Sequence, residues 1–280
     1  MVRDFVVLGD LSTDHEAVYW SGFNNSEIWG DLTAQSDFNK LFNGGRVQKV
    51  VGGEYGVIFK EHTIYRMDYI GGPNIFAFDE IEEARGTPAP GSVIRQGSTI
   101  FYLGHDGFHM FDGQRSQAIG SNRVDDWFAS EIAPDAYSSI RSAIDRRNRL
   151  AVWAFRSSST GAVNDRLLIY NVGANRFSYG QVDTEILADL LSVGFTLDDL
   201  DVPLPEGVDI DSILAESPQY VGGNLSFVAF NSAHRAATFN GEVLDAVIDT
   251  KEFSDKGGQR LSVTEVRPLV SAFDASIQVQ

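Results

Sequence analysis

Short apolar segments, separated by polar turns and recurring as hairpins, constrain this chain more than any other feature. Val50–Met67 opens on a Gly pair, runs as the strand GVIF, turns at KEH and returns as TIYRM. Val93–Phe111 repeats the grammar as STIFYL, the turn GHDG and FHMF. Ser142–Tyr179 does so with RLAVWAF, a longer loop, RLLIYNV and the turn GANRF, and Tyr220–Phe239 with LSFVAF, a polar turn and a last strand. Asp-Gly, Gly-Ala-Asn and Asn-Ser between apolar runs supply the positive φ values that hairpin turns need.

The hairpins recur at roughly 40–50 residues, the period of β-propeller blades. Each repeat holds one strongly apolar strand (GVIF, TIFYL, LAVWAF, LSFVAF) in place of clean alternation, as expected where a strand is buried on both faces. The expected fold is therefore all-β, a propeller of about five or six blades in a single domain over residues 1–280. A β-sandwich or two unrelated small sheets would accommodate the same strands. Helical signal is confined to Arg123–Ile132, where Val124, Trp127, Phe128 and Ile132 fall on one face. Asn122 is its expected N-cap, with Asp125 and Asp126 in the first turn. Asp37–Phe42 is expected as a further short turn of helix.

The net charge is −17, and ten of the acidic residues fall between Asp183 and Glu216, a stretch without Lys or Arg. This stretch is expected as an insertion between blades, 183–216, broken at Pro203 and Pro205. Within it Leu197, Leu200, Ile210, Ile213 and Leu214 are candidates for contact with a partner or a neighbouring subunit. Asp198, Asp199, Asp201, Asp209 and Asp211 are candidates to face a channel or solvent. These carboxylates could be offered to calcium, but the EF-hand spacing is absent, and no cofactor is expected. The acidic balance argues against gripping nucleic acid through its phosphates. The chain has no Cys, which excludes thiolate chemistry, disulfides and Cys-held metals. No apolar run approaches the ~20 residues of a membrane helix, and the start lacks a signal-peptide pattern.

Catalytic grammar is missing. No G-x-S-x-G, P-loop or H-E-x-x-H occurs. His105 and His109 flank the turn in GHDGFHMF, where hairpin geometry, not a shared metal, is the expected reading. His62 and His234 occupy similar turns and are expected to be exposed. A sialidase-type site would need clustered Arg and a repeated S-x-D-x-G-x-x-W box, which neither DGQRS nor HDGFHMF matches. Of the four Trp, Trp127 and Trp153 are expected in the core, leaving Trp20 and Trp29 for stacking on sugars.

One stretch resembles a known family. In Gly86–Phe128, the residues Gly86, Ala89, Pro90, Ser92 and Val93 introduce a strand. Phe101–Gly104, Asp106–Gly107 and Phe111–Gly113 then form a hairpin with Gly at each end of its second strand. Ile119–Ser121, Val124 and Asp125 lead into a short helix ending near Phe128. In that order these features resemble the propeller of podovirus tail hub or nozzle proteins, the packaged-DNA-stabilisation and tubular tail proteins. The resemblance covers roughly Val47–Val182 well, and Arg260–Val270 is similar to the strand that leaves such a propeller. Relatives usually carry a platform before the propeller and a barrel-like continuation after it, and neither is read here.

The resemblance implies a non-enzymatic virion protein located in the tail and assembled in the host cytoplasm. It would form a homo-oligomeric ring, a hexamer in this family, between portal–adaptor and distal tail proteins. Viral DNA would pass through without specific binding, and the chain would not insert into a membrane. The alternative is a carbohydrate-binding or carbohydrate-cleaving propeller, and a third reading is a cellular protein-interaction propeller.

Overall fold

Five antiparallel sheets follow one another along the chain in a computed structural model that describes residues 1–159, 163–191 and 225–239. All lie in the compact unit Met1–Asn240. The first sheet comprises β1 (Val7–Leu11), β2 (Asp14–Trp20) and β3 (Asp37–Lys40). The second comprises β4 (Val47–Val51), β5 (Gly56–Lys60), β6 (Ile64–Tyr69) and β7 (Phe76–Glu82). The third comprises β8 (Ile94–Gln96), β9 (Thr99–Gly104), β10 (Gly107–Phe111) and β11 (Ser116–Ala118). The fourth comprises β12 (Arg141–Asp145), β13 (Leu150–Phe155), β14 (Asn164–Asn171) and β15 (Arg176–Thr184). The fifth comprises β16 (Ile186–Leu191), β17 (Leu225–Phe230) and β18 (Ala236–Thr238). Within every sheet, strands adjacent in sequence are adjacent in space, so each sheet is a meander.

The apolar runs explain how the sheets meet. Side chains alternate between the two faces of a strand, and here each face meets a different neighbour. Val57 and Phe59 of β5 pack with Ile100, Tyr102 and Phe111 of the third sheet, whereas Ile58 packs with Val18 and Trp20 of the first. Phe101 and Leu103 of β9 turn the other way, into a cluster with Ala151, Trp153 and Phe155 of β13. The alternate β13 residues, Val152 and Ala154, pack with Leu187 and Ala229 of the fifth sheet. Successive sheets therefore stack in chain order, with β5, β9 and β13, the second strands of the second, third and fourth sheets, buried on both sides. The outer strands are the reverse: β11 and β18 are largely exposed. The first strands of several successive sheets adjoin: β1 with β4, β8 with β12, and β12 with β16.

Three local expectations are corrected. Asp37–Phe42 is not helical: Asp37–Lys40 is β3, paired with β2, and Phe38 stacks on Tyr19 across the strands with ring centroids 5.1 Å apart. The cross-strand aromatic pair outweighs a weak helical pattern in so short a segment. The helix, α1 (Asp125–Glu131), forms where expected, but Asn122 does not cap it. Asn122 adopts a φ of 57°, Val124 stands at the N-cap, and the Gly120 carbonyl accepts the Arg123 and Val124 amides at 3.0 and 2.9 Å. The Asp125 carboxylate is drawn away to the Phe108 amide, 3.1 Å from it.

The acidic stretch is also placed differently from the expected inter-blade insertion. Its first residues are strand: Asp183 and Thr184 end β15, and Ile186–Leu191 is β16, pairing with β17 in a register that sets Leu191 opposite Leu225. The strands on either side of residues 192–224, β16 and β17, pair with one another, and those residues themselves lie outside the described ones. Asp189 faces the Arg146 guanidinium at 3.4 Å, so this carboxylate serves the junction between β16 and β12.

Two outcomes test this core. Phe108, almost fully buried, meets Phe128 and Trp153 with ring centroids 4.9 Å away in each case. Phe108→Ala should lower the unfolding free energy by about 3–5 kcal/mol in urea titration; a loss below about 1 kcal/mol would mean that this sheet junction is not packed as described. Tyr65 is held mainly by burial, and secondly by its hydrogen bond to Glu80 at 2.8 Å, at a pKa of about 12 against 10.0 for a free phenol. A raised folded-state pKa contributes stability that is present below the free value and is lost as pH rises through the folded one. Stability should therefore fall between pH 10 and pH 12, and Tyr65→Phe should reduce that slope; an equal slope in both proteins contradicts the assignment.

Candidate functional site

The residues singled out in the acidic stretch, Leu197, Leu200, Ile210, Ile213 and Leu214 with Asp198, Asp199, Asp201, Asp209 and Asp211, lie outside the described residues. A gathering of titratable side chains surrounds the β9–β10 hairpin. It is built from the turn motif that stands out in the sequence.

The turn between Gly104 and Gly107 places His105 outside and His109 inside. His105 is exposed, contacts the Glu61 carbonyl at 2.8 Å and stacks on His62 at 4.9 Å. His109 lies in β10 and is fully buried, so it is a strand residue and not part of the turn. Its ring stacks on Tyr102 at 5.3 Å, and its Nδ1 meets the Gly107 carbonyl at 2.9 Å. Since a carbonyl can only accept, Nδ1 carries the proton in that bond. Nε2 has no hydrogen-bond partner, and the Asp106 carboxylate stands 3.4 Å from it without the alignment of a hydrogen bond.

Asp106 and Glu82 both face Arg85, at 3.6 and 3.8 Å. With Glu83, Ala84 and His105 they line an open cleft of about 410 Å³. Beneath it, the Tyr102 hydroxyl donates to Ser116 Oγ at 2.8 Å, and burial pushes the Tyr102 phenol well above its ordinary range. Asp125 closes the far side of the hairpin. Burial raises its pKa above 3.8, while the Phe108 amide and His109 work in the opposite direction. A Cβ at Gly107 would lie 2.2 Å from one Asp125 oxygen, and one at Gly120 would lie 2.0 Å from the other. The two glycines are thus the only residues that let this carboxylate sit between hairpin and helix.

Chemically, the arrangement is a clip in which Arg85 faces Glu82 and Asp106 beside the buried His109. Among the described residues no Ser or Thr hydroxyl is hydrogen-bonded to His105 or His109, and no group of three His, Asp or Glu side chains could hold a metal ion. The exposed positions of His62 and His234 agree with their turn assignment. The Trp residues divide as follows. Trp20 and Trp153 are buried and donate to the Gln35 and Ser92 carbonyls at 3.0 and 2.8 Å. Trp127 is half-buried against Phe155 and Tyr179, and Trp29 remains exposed. The sequence reading missed the burial of His109 and the inward turn of Asp125. The pairs Gly104–Gly107 and Gly107–Gly120 were the available signal, because each glycine makes room for one of these side chains.

Asp125→Asn keeps an acceptor for the Phe108 amide and removes the charge. The Asp125 pKa is raised in the fold, so its contribution is intact below 3.8 and is lost as pH rises through the folded value. The variant should gain in urea midpoint relative to the parent from acid towards neutral pH. A difference that stays constant with pH would show that the carboxylate is not held in this way.

No family model matches this chain, and neither does any curated protein. Among solved structures it is similar to PorZ, an essential bacterial surface component of the type-IX secretion system of Porphyromonas gingivalis. The identity is 12% over 84% of this chain and 25% of that one, with a TM-score of 0.33. The chain thus spans about a quarter of the length of PorZ, and a likeness of that size carries no argument about fold or function.

Proposed function

We propose that this chain is a propeller-like, non-enzymatic structural protein of a short phage tail, part of the hub or nozzle. It would assemble as a ring, a hexamer by the resemblance, between portal–adaptor and distal tail proteins, in the virion. The observation that carries the architectural half of this reading is the order of the sheets. Consecutive meanders stack on one another, and the first strands β1 and β4, β8 and β12, and β12 and β16 adjoin, an arrangement a propeller would also have.

The functional half rests on Gly86–Phe128, whose linked features reappear as local structure. Pro90–Ser92 forms a 3-10 turn leading into β8, Gly104 and Gly107 bound the β9–β10 hairpin, Gly113 follows β10 at a φ of 98°, and Ile119–Gly120 leads into α1. A chain of net charge −17 lining a passage would repel DNA weakly and let it slide. A closed ring needs two unlike surfaces on each subunit. Exposed apolar side chains are present at both ends of the sheet series, Phe38 and Phe42 beside the first sheet and Ile186 and Leu191 on the fifth. The carbohydrate reading is less supported, because Trp20 and Trp153 are buried and engaged in hydrogen bonds.

Light scattering and negative-stain electron microscopy of the full chain test the reading. A closed ring of about six copies is expected. Phe42 is 77% exposed, so Phe42→Asp should leave the thermal midpoint within about 2 °C of the parent while weakening assembly. A parent protein that stays monomeric at high micromolar concentration, with no tail location in virions, would overturn the proposal.

A further inference from the structure

The first strands of the second, third and fourth sheets each contribute one cation to a single groove of about 540 Å³. These are Lys49 from β4, Arg95 from β8 and Arg141 from β12. No carboxylate lines this groove, in a chain that carries 39 acidic residues against 22 Lys and Arg. Most described arginines elsewhere in the first two sheets face a carboxylate: Arg3 faces Glu54, Arg46 faces Asp10 and Arg66 faces Asp68. Lys49, Arg95 and Arg141 have no such partner among the described residues.

Two of the three are fixed by backbone carbonyls instead. The Arg95 Nε donates to the Gly97 carbonyl at 2.6 Å and its Nη1 to the Gly52 carbonyl. The guanidinium lies so close over Gly53 that a Cβ there would fall 2.1 Å from Nη1. The Arg141 Nη1 donates to the Ser138 and Ile140 carbonyls at 3.1 and 2.8 Å. Ser142 Oγ donates to the Gly91 carbonyl at 2.6 Å, tying β12 to the turn before β8. Carbonyls orient a guanidinium without cancelling its charge. The Nη2 groups of both arginines, and Arg141 Nε, have no hydrogen-bond partner among the described residues and remain as donors. Val51, Val93 and Ile94 supply aliphatic walls between the charges.

We infer that this groove binds small multivalent organic anions, with carboxylate or phosphate groups on Lys49, Arg95 and Arg141 and an apolar body against the valine and isoleucine walls. Oriented guanidinium groups favour planar or tetrahedral oxyanions through paired N–H donors, and Lys49 adds a point charge. The volume is in the range of small-ligand sites, about 300–1,000 Å³. The site does not depend on the tail reading, because its argument uses only the groove.

Isothermal titration of the full chain at fixed ionic strength, with citrate, pyrophosphate and trimesate as probes, tests the inference. Saturable one-site binding is expected, tighter for trimesate than for citrate because its ring meets the aliphatic walls, and weaker as salt is raised. Lys49→Gln and Arg141→Gln should each weaken binding about tenfold. Both side chains are exposed, and far-ultraviolet circular dichroism checks that the variants remain folded. Arg115→Gln, on an 84% exposed side chain paired with Asp112 outside the groove, should leave binding unchanged. Binding of pyrophosphate alone assigns a phosphate ligand, and binding of the two carboxylates alone assigns a carboxylate ligand; both support the site. No saturable heat with any probe, or unchanged affinity in both groove variants, overturns it.

Discussion

Burial of β5, β9 and β13, the second strands of the inner sheets, on both faces is the constraint on which the rest of the molecule depends. With a single short helix, α1, among the described residues, the main apolar cover for a sheet is another sheet. A strand such as β9 sends Phe101 and Leu103 to the fourth sheet and Ile100 and Tyr102 to the second, so neither face is left for water. That arrangement requires continuous apolar runs where a sandwich would have alternation. It also links the sheets in series: opening one junction exposes apolar surface on two sheets at once.

Several polar groups buried at these junctions are satisfied locally. Ser92 accepts the Leu103 amide at 3.0 Å, donates to the Ala89 carbonyl at 2.7 Å, and its own carbonyl accepts Trp153 Nε1. One buried serine thus ties the third sheet to the fourth. Thr87 does the same within the third sheet's approach, donating to the Leu103 carbonyl at 2.7 Å. Lys60, fully buried at the end of β5, donates to the Leu41 carbonyl, and desolvation lowers its pKa against the pull of nearby carboxylates. Burying such groups is tolerable only because each has a partner.

Charge is divided between two uses. Around the β9–β10 hairpin, carboxylates and a guanidinium pair with one another over a buried imidazole, which holds a turn in place. Along the first strands, three cations have no carboxylate partner among the described residues, and two of them, Arg95 and Arg141, are held by carbonyls. In an acidic chain the first arrangement is ordinary, whereas the second concentrates the local field of opposite sign.

Much of the fold was legible in the sequence, for a specific reason. Hairpin turns are local: GHDG between STIFYL and FHMF commits Gly107 to a positive φ and the two strands to an antiparallel return before any tertiary contact forms. The apolar runs likewise declare burial on two faces, because no single-faced sheet tolerates them. What the sequence could not declare is which face meets which neighbour, since Ile58 and Phe59 are equally apolar yet face the first and third sheets respectively. Nor could it place the start of the acidic stretch: composition marks 183–216 as unusual, but only strand pairing shows that Asp183 and Thr184 end β15 and that Ile186–Leu191 is β16 beside β17. The short helix pattern at Asp37–Phe42 lost to a cross-strand aromatic pair for the same reason. Lys49, Arg95 and Arg141 lie dozens of residues apart and are unremarkable singly. Their convergence was decided by the stacking of three sheets, which brings together side chains that no local pattern connects.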